Sequence, residues 1–106
     1  MSKIFKEVLN SLPDIRHVNK IKLYDINGIF VDEIENLPGT QGSLKVYFYL
    51  YNTFKEINLT AAEKGLELFS EHATDAKKHP GNHPNIDRLI DIIEADNILK
   101  IKTILR

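Results

Sequence analysis

Apolar residues recur at helical spacing in four stretches of the chain and alternate with polar residues in three shorter ones. The helical pattern covers residues 4–12, 44–54, 60–78 and a stretch from 85 onward. The alternating pattern, typical of strands with one buried face, covers residues 21–24, 30–34 and 99–104. The order α-β-β-α-α-α-β predicts an α+β fold in a single domain, residues 1–106. A small three-stranded sheet, made of a hairpin and the C-terminal strand, would pack against about four helices.

The turn of the predicted hairpin allows two registers. A two-residue turn at Asn27 and Gly28 would scatter the apolar residues over both faces. A type I turn that begins at Asp25 and ends with Gly28 in the left-handed conformation shifts the pairing by one residue. We predict this second register, because it gathers four apolar side chains on one face: Ile21, Leu23, Ile29 and Val31. The cross-strand pairs would be Leu23 with Val31, Tyr24 with Phe30, and Lys22 with Asp32.

Residues 44–51 carry signals for both kinds of secondary structure. Their Leu, Val, Tyr and Phe side chains have high strand propensity. The large apolar side chains nevertheless follow helical spacing behind a capping residue, Ser43. They are Leu44, Tyr47, Phe48, Tyr51 and Phe54. We predict a helix, with a strand as the alternative.

Capping residues predict where the other helices begin. Ser2 can cap the first helix. Thr60 and Glu63 have the spacing of a capping box, which predicts one continuous helix over 60–78, ended by a Pro-Gly pair. Asn85 has the side chain of a good N-cap for the next helix.

Composition and charge argue against several classes of protein. Fourteen basic and fifteen acidic residues give a net charge of −1, without the basic excess of a nucleic-acid binder. No apolar run approaches the ~20 residues of a membrane span, and no signal peptide is recognisable, so we expect a cytoplasmic protein. Without cysteine there is no disulfide or thiol nucleophile. The low net charge and the aromatic residues of 47–54 favour a homodimer at micromolar concentration.

Three of the four histidines lie within residues 72–83, and histidine moves protons and binds metals near neutral pH. His72 and His79 would stand ~10 Å apart along a helix axis, too far to share a zinc ion whose bonds to nitrogen are ~2 Å long. His72 and Asp75, with His83 folding back, form a metal alternative that has no recognised spacing. We therefore predict no metal and no cofactor.

The same stretch is explained in large part as the end of one helix and the start of the next. The competing hypothesis is a ligand-binding or acid–base site, because a histidine beside a carboxylate can act as a general base. Its candidate binding residues are His72, Asp75, His83, Asp87 and Arg88. The glycine-containing loop 38–43 could hold an anion at a helix start, although it lacks the ending of a P-loop. No pattern identifies a catalytic residue.

Several short motifs are distinctive in combination. They are Pro-Gly-x-x-Gly-Ser-Leu at 38–44, Gly-Leu-Glu-Leu at 65–68, and His-Pro-Asn-Ile-Asp-Arg-Leu at 83–89. In these motifs and in the hairpin, nearly the whole chain resembles a family of small uncharacterised bacterial proteins. The resemblance implies a cytoplasmic bacterial protein and carries no activity, substrate or catalytic residue.

No motif identifies a reaction or a ligand, so the expected function is a non-enzymatic cytoplasmic interaction or regulatory module. The alternative is a small-ligand-binding protein or an enzyme with a His/Asp/Arg site at residues 72–88. One structural feature discriminates between them. Convergence of His72, His83, Asp87 and Arg88 on one pocket of a few hundred Å³ would favour ligand binding, and their divergence would favour the module.

Overall fold

The computed structural model of the protein describes residues 3–106. Its helices α1–α5 span Phe5–Ser11, Gln41–Phe54, Leu59–Phe69, Glu71–Lys78 and Pro84–Ala95. Its strands β1–β4 span Val18–Tyr24, Phe30–Glu35, Glu56–Ile57 and Leu99–Leu105. None of the helices in this part of the chain has the length and apolar content that crossing a bilayer demands.

The described strands form one antiparallel sheet in the order β2-β1-β4-β3. The prediction that the hairpin and the C-terminal strand share a sheet is confirmed, since β1 pairs with both β2 and β4. The structure has four strands and five helices within residues 3–106, where three strands and about four helices were predicted. The order of the elements is α-β-β-α-β-α-α-α-β. The missed strand, β3, has two residues, which is too short to reveal a pattern of alternation.

The helices cover one face of the sheet, where Ile21, Leu23 and Ile34 are buried. Helices α3 and α5 pack closely at Gly65 of α3. A Cβ atom added there would lie 2.6 Å from the Leu89 side chain of α5, so a larger residue would require that side chain to move.

The hairpin has the predicted turn. Gly28 is left-handed, with φ of +83°, and its N–H donates to the carbonyl oxygen of Asp25 at 3.0 Å. Tyr24 pairs with Phe30, also as predicted. The Asp25 carboxylate further accepts hydrogen bonds from the N–H groups of Asn27 and Ile29, both at 2.9 Å. The turn is therefore held by side-chain as well as backbone hydrogen bonds.

Beyond the turn, the register differs from the prediction. A bulge between Leu23 and Tyr24 makes Val31 the extra residue of β2, so Leu23 pairs with Asp32. Two predicted pairs are therefore wrong, Leu23 with Val31 and Lys22 with Asp32. The predicted apolar face is also only half correct: Ile29 and Val31 are exposed, and Ile34 is buried beside β1 instead.

Residues 44–51 lie in a helix, as predicted, because five of the side chains in α2 enter the core. They are Leu44, Val46, Tyr47, Phe48 and Leu50. The helix begins earlier than predicted, at Gln41, so Ser43 lies in its first turn and does not cap it. The N-cap position is Thr40, whose hydroxyl instead donates to the carbonyl oxygen of Glu35 at 2.6 Å.

The predicted continuous helix over 60–78 is two helices. Asn58, not Thr60, is the N-cap of α3, and its side chain accepts from the Ala61 N–H at 2.9 Å. The chain turns at Ser70, where φ is +58°, before α4 begins. This turn meets the start of α1: the Glu71 carboxylate accepts from the Phe5 N–H at 2.7 Å. This contact with α1 thus accounts for the break between α3 and α4, which the local sequence does not predict.

Val8 of α1 and Leu12, which follows the helix, are buried as predicted, with Phe5 and Leu9 partly buried, whereas Ile4 is exposed. Ser2, its predicted cap, lies outside the described residues.

Candidate functional site

The histidine stretch forms the end of α4, a loop and the start of α5. His83 is the N-cap of α5 and Pro84 its first residue, where the missing N–H costs no hydrogen bond. The backbone carbonyl of His83 accepts from the N–H groups of Ile86 (3.0 Å) and Asp87 (2.8 Å). The prediction that Asn85 is the N-cap is therefore wrong, because Asn85 lies inside the first turn.

His83 and Asp75 form a close pair between the two helices. The Nε2 atom of His83 lies 2.7 Å from Oδ2 of Asp75. The other oxygen of Asp75 faces Nε2 of His79 at 3.9 Å. The hydrogen bond from His83 is the main reason that the pKa of Asp75 is lowered from its ordinary value.

His72 joins this pair at a groove. Its ring lies 5.5 Å from the His83 ring and 5.1 Å, edge to face, from the ring of Phe5. The groove has a volume of about 620 Å³ and is lined by His72, His83, Phe5, Phe69 and residues 39–43, which end in the first turn of α2. We call it the histidine groove. It brings together two segments that the sequence analysis considered separately, the histidine stretch and the loop before α2.

Arg88 points elsewhere. Its Nη1 atom donates to the Tyr47 hydroxyl at 3.1 Å and to Oδ1 of Asn85 at 2.9 Å, and Nη2 forms an ion pair with Asp32. The Tyr47 hydroxyl donates to the backbone carbonyl of Asn85 at 2.6 Å. Burial raises the pKa of Tyr47 to about 12, which keeps this hydroxyl protonated and able to donate. We call these four residues the Arg88 cluster.

Asp87 has a third and local role. Its carboxylate accepts from the N–H of Gly81 at 2.9 Å, and Gly81 has a φ of +98°. Asp87 therefore stabilises the turn before α5. The five predicted binding residues thus separate into three groups, and of these five only His72 and His83 line the groove in the described part of the chain.

Among residues 3–106, no group of three or more His, Asp or Glu side chains is arranged to hold a metal ion. His83 and Asp75, which the metal alternative takes as ligands of one ion, are hydrogen-bonded to each other. This hydrogen bond makes Asp75 the residue that orients His83, in the manner of a carboxylate that orients a catalytic or ligand-binding histidine.

A family model described as "uncharacterized protein conserved in bacteria (DUF2322)" matches residues 5–103. The chain belongs to this family. The match includes the whole histidine groove, the Arg88 cluster and the hairpin. No curated protein and no solved structure is detectably similar to the chain.

The hairpin carries an exposed apolar surface, part of which is predicted from alternation to be buried. Four large apolar side chains are 46–69% exposed there, and we call them the hairpin patch: Ile26, Ile29, Phe30 and Val31. The bulge accounts for Val31, because it sets Asp32 rather than Val31 opposite Leu23, whereas Ile26 and Ile29 lie in the turn. Burial of Val31 was predicted from alternation, and alternation does not reveal a bulge.

Proposed function

We propose that the protein is a cytoplasmic, non-enzymatic interaction module that forms a homodimer through the hairpin patch. The observation that carries this proposal is the exposure of four neighbouring large apolar side chains at one end of the sheet. Contiguous exposed apolar surface is typical of interaction sites, because covering it removes it from water.

The patch is held in one conformation before any partner binds. Asp25 fixes both ends of the turn through hydrogen bonds to Asn27 and Ile29, each at 2.9 Å. The Phe30 ring packs edge to face against Tyr24, with 5.9 Å between the ring centres. A preorganised surface loses little conformational entropy on association.

A second copy suits this surface for two reasons. The net charge of −1 gives little repulsion between copies. The carboxylates of β2 are also partly neutralised within the chain, Asp32 by Arg88 and Glu33 by Lys20 at 3.2 Å. A twofold axis through the patch would then bring apolar side chains of one copy against the same side chains of the other.

The bulge and the acidic residues of β2 argue against extending the sheet from one copy to the next. Bulges and charges are the usual protections of an exposed sheet edge. We therefore expect contact through side chains and an interface of modest area, with dissociation at micromolar rather than nanomolar concentration.

Sedimentation equilibrium tests the proposal. The wild-type chain should approach twice its 12.2 kDa mass as concentration rises through the micromolar range. A variant with Ile29→Thr and Val31→Thr should stay at 12.2 kDa, because threonine retains the branched shape but not the apolar surface.

Leu105→Thr is the matched control, since Leu105 is another exposed apolar residue of the sheet, outside the patch. It should dimerise like the wild type. A wild-type chain that is monomeric at every concentration would overturn the proposal. So would a control that loses the dimer as completely as the patch variant.

A further inference from the structure

We propose that the histidine groove binds a small organic ligand through a carboxylate or phosphate group, with His72 and His83 as the recognising side chains. The inference does not depend on the homodimer, because the groove and the hairpin patch share no residue.

The polar lining of the groove consists of hydrogen-bond donors and neutral groups. Besides the two imidazoles it includes Ser43, Asn82 and Gln41, and no aspartate or glutamate of residues 3–106 lines it. Three other depressions on the described surface each contain carboxylates together with at least one lysine. Asp75 lies 2.7 Å from His83 and Glu71 lies 3.9 Å from His72, but neither carboxylate lines the groove. An anionic group in the groove would therefore meet hydrogen-bonding groups and no lining carboxylate among the described residues.

Both imidazoles are oriented by contacts within the chain. His83 is fixed through Nε2, which donates to Asp75 at 2.7 Å, and its Nδ1 atom makes no hydrogen bond inside residues 3–106. In the doubly protonated form of the ring, Nδ1–H is a donor that a bound oxyanion can accept from. The ring of His72 is fixed by its edge-to-face contact with Phe5. The two rings lie 5.5 Å apart, so one bound oxyanion can contact both.

A neighbouring pocket provides an independent observation that favours an anion. It shares Leu9, Gln41 and Gly42 with the groove and is lined by three basic side chains, Arg16, Lys45 and Arg106. Arg16 is paired with Asp14, whereas Lys45 has no ion pair in the described part of the chain. The surface next to the groove, at the start of α2, thus carries basic side chains that attract anions.

The size and the apolar side of the groove indicate what carries the anionic group. About 620 Å³ is in the range of small-molecule sites. Phe5 and Phe69 stack with 5.4 Å between their rings and form an apolar wall. An anionic group joined to a ring or an apolar body would use the imidazoles and this wall together.

Nuclear magnetic resonance titration of the ¹⁵N-labelled full chain tests the inference with three probes: inorganic phosphate, benzoate and phenyl phosphate. Saturable shifts should occur at the backbone N–H groups of Gly42 and Ser43 and at the rings of His72 and His83. Phenyl phosphate should bind more tightly than inorganic phosphate because of the apolar wall. The comparison with benzoate tells a phosphate site from a carboxylate site.

His83→Gln combined with His72→Gln should weaken probe binding roughly tenfold or more, the loss expected when hydrogen bonds to a charged group are removed. His79→Gln is the matched control, because His79 also faces Asp75 but does not line the groove. It should bind like the wild type. The spectra without probe report whether each variant is folded.

Three outcomes would overturn the inference. The first is a wild-type spectrum unchanged by all three probes, and the second is shifts centred on lysines away from the groove. The third is tight binding of Zn²⁺ to the His72–His83 region without any response to the anions, which would assign the groove to a metal. Because titrations of the wild-type chain with the three anions and with Zn²⁺ separate these outcomes, a poorly folded variant does not leave the question open.

Discussion

The Arg88 cluster and the His83–Asp75 pair arise from neighbouring residues of one short motif, yet they use polar groups in opposite ways. In the Arg88 cluster the side chain of Arg88 is only 12% exposed and the polar atoms of Tyr47, Asn85 and Arg88 satisfy one another. In the pair, Asp75 is half-exposed, and the Nδ1 atom of His83 has no hydrogen bond within residues 3–106. Buried polar groups that are fully paired hold a fold together. An oriented side chain such as His83, with one nitrogen free of hydrogen bonds to the described residues, is instead suited to binding a ligand.

The largest effect is expected at Tyr47, in the Arg88 cluster. Tyr47→Phe should lower the free energy of unfolding by about 1–3 kcal/mol, because it leaves the Asn85 carbonyl without its donor and Arg88 without one acceptor. Urea denaturation measures the loss.

Tyr49→Phe is the control, since the Tyr49 hydroxyl makes no hydrogen bond within residues 3–106 although its ring packs against the core. Its effect should stay within about 0.5 kcal/mol. Equal losses in the two variants would mean that the Arg88 cluster does not stabilise the fold.

A smaller effect is expected at Asn85. Asn85→Ala should cost about 0.5–1.5 kcal/mol, and the reason is a lost acceptor for Arg88 rather than a lost helix cap. A double-mutant cycle with Arg88→Gln distinguishes these reasons. The cost of Asn85→Ala should shrink in the Arg88→Gln background, whereas the cost of a cap would stay the same.

The smallest effect concerns the His83–Asp75 pair and depends on pH. The pKa of Asp75 is lowered in the folded chain, first by the hydrogen bond from His83, so its carboxylate stabilises the fold above its ordinary pKa of 3.8. This contribution is lost as the pH falls through the lowered pKa. His83→Gln should therefore destabilise the protein at about pH 5 more than at about pH 2, as measured by urea denaturation.

Asp75→Asn provides the control for this pH dependence. When Asp75 cannot ionise, His83→Gln should have the same effect at both pH values. If the difference between the two pH values persists in the Asp75→Asn background, another carboxylate is responsible and the pair contributes nothing measurable.

The elements with strong periodicity could be predicted from the sequence. Helix α2 was preferred over a strand because Leu44, Tyr47 and Phe48 share one helical face, and these three side chains are buried. The C-terminal strand followed from the alternation of Leu99 with Lys100 and Lys102. In both cases a single local pattern was long enough to identify the element, and in α2 it outweighed the strand propensity of the same residues.

The candidate site could be predicted only in part. The histidine stretch pointed to His72, Asp75 and His83, and the structure brings these three together. The partners of Arg88 were missed because Tyr47 and Asp32 are far from it in sequence and reach it through packing. No spacing rule relates residues that meet only when the helices cover the sheet.

What the sequence determined by itself is the long periodic segments, helical or extended, and the turn at Asp25–Gly28, because helical spacing, alternation and turn chemistry act between near neighbours. The tertiary structure alone decided the bulge at Val31, the break at Ser70 and the different roles of His83 and Arg88. Each of these depends on a partner in another element: Leu23 on β1, the start of α1, and the facing surfaces of α2, α4 and β2. The physical reason is that hydrogen bonding and burial reward the contact itself, whatever the number of residues between its members.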